Sequence, residues 1–185
     1  MQLVGRAVSP TNIPLLNGNN TFTGSTTFSG TVSGSGLLQV KTKIADQTVT
    51  DTTTLAPDSH LSVTLAAGVT YAFRIVYFAT TVATSGVKVD CNGGTATATS
   101  FIRNVSIFGN TTLATLSAAD GSALNTSTGY TTIGDTSVKI QIEGTITVNA
   151  GGTFIPQFAQ NAETVAAELV IAKRGSYMTI APVTA

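Results

Sequence analysis

His60 is the only histidine of the 185-residue chain and sits in Pro57-Asp58-Ser59-His60. With Asp58 beside it and 15 serines available, the residue types of a Ser-His-Asp site are present. Geometry rather than availability defines such a site, and no Gly-x-Ser-x-Gly elbow accompanies it. Three copies of His60 around an axis would offer a metal three nitrogens, but metal sites usually draw paired ligands from one chain. His60 therefore reads as a solvent-facing loop residue. Two carboxylate pairs invite comparison with glycoside hydrolysis: Glu163 with Glu168, and Asp46 with Asp51, each five residues apart. Glu163 and Glu168 are expected in a loop leading to a strand, and on an extended strand the odd spacing of Asp46 and Asp51 puts them on opposite faces. The chain also has no Trp to form a sugar platform. These groups read as solvated charges and turn residues. Cys91 precedes Asn92-Gly93 with only Lys88 as a near basic neighbour, so it reads as a small strand-end side chain, not a nucleophile. Lys173-Arg174 is too short for a polyanion patch and suits a turn. The expectation is a protein without catalytic residues, metal or cofactor.

Composition narrows the classes further. Charged residues are 10% of the chain, nine basic and nine acidic, while hydrophobic residues are 42%. Disordered chains carry more charge and less apolar mass, and nucleic-acid binders show a basic excess. No apolar run is long enough for a membrane span. Threonine (34) and serine (15) give a hydroxyl-rich, neutral surface, suited to packing in an assembly rather than to steering a charged ligand. One cysteine permits no intrachain disulfide, and the first residues lack the basic start and apolar core of a signal peptide. The Asn-x-Ser/Thr triplets at Asn104 and Asn110 then read as loop polarity.

Three segments are expected. Residues 1–18, with Arg6 as their single charge and prolines at 10 and 14, form an extended arm that lies on another surface. Its contact residues are Val8, Ile13, Pro14, Leu15 and Leu16. Residues 19–36 contain Thr21-Phe22-Thr23-Gly24 and, six residues on, Thr27-Phe28-Ser29-Gly30, followed by a degraded copy, Thr31-Val32-Ser33-Gly34. One such segment cannot bury its phenyl groups or pair its own backbone. Several chains around one axis would do both, with layers of Phe22, Phe28 and Val32. A Gly/Ser linker would have the same small residues but no need for spaced phenylalanines. Each buried Phe contributes about 1.5–3 kcal/mol.

Residues 37–185 alternate with period two. Leu38, Val40, Thr42 and Ile44 are expected to face a core, leaving Gln39, Lys41 and Lys43 outside. Strands follow at Thr48-Val49-Thr50, Leu61 to Leu65, Tyr71 to Phe78, Val87 to Val89, Val138 to Val148, Thr153 to Phe158 and Ser176 to Ile180. Tyr71 to Phe78 is apolar on both faces, as in a covered central strand. Gly68 sets a turn, Gly144 suggests a bulge or bend, Pro156 suggests a sheet edge or bulge, and Thr112 to Leu124 has room for one helical turn. Many short strands and no long amphipathic helix mean an all-β, antiparallel, jelly-roll-like sandwich.

The repeat Asn19-Asn20-Thr21-Phe22-Thr23-Gly24 resembles stem repeats in fibre proteins of tailed bacteriophages. Lys41 to Thr50, Tyr71-Ala72-Phe73-Arg74, Glu143-Gly144-Thr145, Ala159-Gln160-Asn161 and Gly175-Ser176-Tyr177 resemble a β-domain carried by small phage virion proteins. The resemblance spans about residues 19–180 and departs at Phe158, where that pattern has Trp. It implies a homotrimeric virion component, made in the bacterial cytoplasm and carried on the particle surface. A capsid decoration or head fibre is the first form, with the major capsid protein or another virion protein as partner. A tail-fibre protein that binds a host-surface glycan is the alternative. Neither nucleic acid nor membrane is an expected partner.

Overall fold

Period-two patterning becomes strand along most of the domain. The computed structural model describes residues 38–81, 85–91, 94–109, 116–121, 124, 127–130, 137–162 and 169–183. The strands are β1 (Gln39–Thr42), β2 (Gln47–Thr50), β3 (Ala56–Pro57), β4 (Val63–Leu65), β5 (Thr70–Thr81), β6 (Val87–Cys91) and β7 (Thr97–Gly109). They continue as β8 (Leu116–Gly121), β9 (Thr128–Tyr130), β10 (Ser137–Ala150), β11 (Gly152–Phe154), β12 (Pro156–Ala159), β13 (Leu169–Ala172) and β14 (Tyr177–Pro182). A single 3-10 turn, Ser59–Leu61, separates β3 from β4. Residues 116–121 are strand, not the helical turn that the stretch from Thr112 to Leu124 suggested.

The pairing is nested from the ends inward. β1 pairs with β14, β2 with β13, β3 with β12, β4 with β11, β5 with β10, β6 with β9 and β7 with β8, all antiparallel. The chain is thus one long double-stranded ribbon folded back at β7–β8, which is the winding of a jelly roll. Further ladders close the ribbon onto itself: β14 and β13 sit end to end along one edge of β5, β7 lines β10, and β12 lines β6. The result is a large sheet, β1-β14-β5-β10-β7-β8 with β2 beyond β13, facing the smaller β3-β12-β6-β9 and β11-β4 sheets across one core.

Alternation decides which side chains enter that core. Tyr71, Phe73, Ile75 and Tyr77 of β5, Phe101, Val105 and Ile107 of β7, and Ile140, Ile142, Ile146 and Val148 of β10 all point inward. The Phe73 and Phe101 rings stack at 5.7 Å, and Phe154 tilts against both. Phe158, at the position where the resembling proteins have Trp, is buried with its ring 5.9 Å from that of Tyr77. Burial of about ten such side chains supplies the driving force, at roughly 1.5–3 kcal/mol each.

Four local expectations are corrected. The outer face of β5 is not covered: Val76 is buried, but Arg74 and Phe78 are exposed. Asn104 lies within β7, not in a loop. Gly144 neither bulges nor bends β10, since its ladder to Arg103 runs unbroken and the register shifts fall between Thr147 and Ala150. The glycine is needed for close approach, because a Cβ there would collide with the Ile102 carbonyl oxygen. Pro156 is the first residue of β12, where the chain passes from one small sheet to the other, and β12 is paired on both edges. Gly68 turns the chain as expected, with φ at +77°.

Candidate interaction surface

The largest departure from the sequence pattern is at β1. Leu38, Val40 and Ile44, expected in the core, are 62%, 58% and 71% exposed, whereas Lys43 is fully buried. Gln39 is half-buried and Lys41 exposed, so the reversal centres on Lys43, which has a partner inside. Its ammonium donates to Asp58 Oδ2 at 2.9 Å and to Gln47 Oε1 at 3.1 Å, and lies 3.4 Å from His60 Nδ1. Asp58 is itself fully buried, and its Oδ1 accepts the His60 backbone N–H at 3.2 Å, capping the 3-10 turn. A buried ammonium is tolerated only when paired in this way.

That cluster also fixes the role of His60. Its side chain is 30% exposed, with Nδ1 3.7 Å from Asp58 Oδ1. Among the described residues no serine hydroxyl bonds to it, so Asp58, His60 and a serine are not brought together as a triad. The Asp58 carboxylate holds Lys43, and the arrangement binds β1 to the 3-10 turn. The Tyr77 hydroxyl is buried without a hydrogen bond of good geometry. Burial first, and the Asp58 charge second, raise its pKa well above the usual value.

The remaining candidates resolve into structural roles. Asp46 accepts from the Arg174 backbone N–H at 2.7 Å and from Lys173 at 3.3 Å. That backbone bond, with help from Lys173, holds its pKa below the ordinary carboxylate range. Lys173-Arg174 thus forms the expected turn before β14, while Asp51 is exposed with φ at 49°. Glu163 and Glu168 lie outside the described residues. Cys91 is fully buried and its thiol is pushed up to about 12, by burial first. Arg103, also buried, donates to Asp90 Oδ1 at 3.1 Å, a pair the alternation does not reveal because Arg103 takes a core position on β7. No group of three or more metal-ligating side chains occurs among the described residues.

Two surface features remain. The first is an apolar margin. Among the described residues six large hydrophobic side chains are exposed, and four of them, Leu38, Val40, Ile44 and Val183, lie on or beside β1 and the end of β14. The second is a groove of about 390 Å³ lined by Phe78, Thr80, Phe108, Ser137, Lys139 and Lys173 among others. Lys139 Nζ stands 5.2 Å over the Phe108 ring. Gln39 is level with Phe73 through Ile180, so the groove around Thr80 is seven residues further along β5. It lies at the end of the large sheet opposite to where the chain enters. The expected arm residues Val8, Ile13, Pro14, Leu15 and Leu16, and the stem residues Phe22, Phe28 and Val32, lie outside the described residues.

No protein-family model matches the chain, and no curated protein sequence does. Among solved structures it is similar to the VP2 subviral particle of infectious bursal disease virus, at 14% identity and a TM-score of 0.23. The match covers 79% of this chain and 39% of that one. The Gt strain of the same virus gives 14% identity and a TM-score of 0.21, over 80% of this chain and 40% of the other. The chain thus spans about two fifths of the length of these proteins. Superpositions this loose support no functional conclusion.

Proposed function

We propose that this chain is a non-enzymatic structural protein of a bacteriophage virion. In this reading it is a homotrimeric capsid decoration or head-fibre protein. Residues 1–18 dock on the particle, residues 19–36 trimerise, and the jelly roll projects outward. The observation that carries it is the phenylalanine repeat, Phe22 and Phe28, leading directly into a β-sandwich. A single copy of that repeat has no way to bury its rings. The neutral, hydroxyl-rich composition and the resemblance to phage stem and β-domain sequences agree with it. An assembly protein of this type stabilises a shell by binding only its assembled form. Immunogold labelling of intact particles tests the reading. Regular label over the head supports it, and purified particles free of the protein contradict it.

The groove at Phe78 and Phe108 favours a second reading, a tail-fibre protein that binds a host-surface glycan. The exposed Phe78 ring and the half-buried Phe108 ring beside Lys139 and Lys173 suit a sugar face with an acidic substituent. Binding of the purified protein to host cells that is lost in Phe78→Ala would support it. Absence of the protein from tails would refute it.

A further inference from the structure

Val40 on β1, with Leu38 just before the strand and Ile44 two residues after it, forms an exposed apolar row, and β1 is an edge of the large sheet. Its pairing to β14 is continued by the Lys43 backbone, whose N–H donates to the Ser176 carbonyl at 2.7 Å and whose carbonyl accepts from Gly175 at 2.9 Å. The opposite edge of β1 has no strand partner among the described residues. An unpaired edge carrying an apolar stripe is a feature that proteins usually blunt with charge, proline or a cover. Here it is extended by Val183, 56% exposed at the end of β14. The buried Lys43–Asp58 pair holds β1 in this orientation, so the apolar face is a fixed part of the fold.

We propose that this margin is the contact through which copies of the chain pack against one another in the sandwich domain, β1 of one copy against β1 of the next. The inference rests on the trimeric-stem reading and locates the second half of its interface. The short length of chain between the stem and β1 points to a second copy as the occupant. If the Phe22 and Phe28 layers are shared around an axis, each copy leaves that axis by residue 36, two residues before Leu38. Two extended residues reach about 7 Å, so the Leu38 side chains of neighbouring copies must start close together. With equal numbers of acidic and basic residues in the chain, net charge does not oppose that approach.

The test is the native mass of the full-length protein by light scattering over a dilution series. It compares wild type with the double variant Val40→Asp/Ile44→Asp and with Ile102→Asp. Ile102 is equally exposed but lies on β7, with β14, β5 and β10 between it and β1. The β1 variant should dissociate at concentrations at least ~tenfold higher than wild type, and Ile102→Asp should behave as wild type. An oligomeric wild type whose mass and dissociation are unchanged by the β1 changes overturns the inference but leaves the stem reading intact. A monomeric wild type overturns both. Equal dissociation by Ile102→Asp removes the assignment to β1. A second measurement does not depend on a destabilised assembly: spin labels on Val40→Cys, with Cys91 buried, should couple between copies and uncouple when labelled and unlabelled chains are mixed. An oligomer without that coupling has some other segment over the margin, which also overturns the inference.

Discussion

Lys43 shows how a single buried charge can overrule hydrophobic patterning. Turning the strand the other way would bury Leu38, Val40 and Ile44 but leave Asp58, fully buried, without its cation. Removing one member of such a pair costs about 3–5 kcal/mol. Lys43→Met should therefore lower stability by about that amount in urea unfolding, and Lys43→Met/Asp58→Asn should recover part of the loss. An additive pair of effects would show that the two groups do not interact. Cys91 yields a different prediction. With its thiol pushed up to about 12, roughly one molecule in ten thousand carries a thiolate at pH 8. A disulfide reagent should leave the folded protein unmodified at that pH while labelling the urea-unfolded chain fully. The folded pKa is raised, so this burial stabilises fully below the ordinary thiol pKa of 9.0 and is lost as pH rises from there toward about 12. The urea midpoint should fall over that window, and less so in Cys91→Ala.

The strands divide into those whose alternation was decisive and those where another force intervened. β5, β7 and β10 have 12, 13 and 14 residues. On β10 Val and Ile at every second position, against Lys, Gln and Glu, leave one inward face, whereas β5 is apolar at nearly every position and its pattern does not reveal that its outer face is open. Such strands made the sandwich legible in the sequence, while β7 with its core residues Phe101, Val105 and Ile107, where no strand was expected, was not. β1 misled because four residues of alternation weigh less than one salt bridge to a residue 15 positions away, and no local pattern announces that partner. The groove was not legible either, since Phe78, Phe108 and Lys139 meet only through the register of three strands. Gly144 stands out in the sequence as a glycine inside a strand, but its cause is a neighbouring carbonyl and not a bulge. Gly144→Ala should consequently destabilise by about 1–3 kcal/mol through overpacking, measurable as a lowered unfolding midpoint with an unchanged slope. A neutral effect would mean that β7 and β10 can separate at that point without cost.

At the scale of the whole molecule, the nested ribbon makes the first described strand the partner of the last. Pairings that span the chain must be closed late and at high entropic cost. Refolding from urea is expected on the millisecond-to-second scale of all-β domains, slower than for a helical protein of this size. Microsecond refolding would contradict the pairing scheme. The same topology puts the first and last described strands side by side, Gln39 opposite Ile180; in the proposed function that end serves attachment and the other, with its groove, presentation. Whether copies join at the attachment end is the central claim, and the native mass of the full-length protein addresses it most directly, with Phe22→Ser/Phe28→Ser measured beside it. A wild-type mass three times the 18.8 kDa of the chain, falling to the single-chain value in the double variant at the same concentration, is the predicted result. A wild-type protein that is monomeric at every concentration, or a trimer indifferent to both phenylalanines, would contradict the stem and the trimeric virion protein built on it.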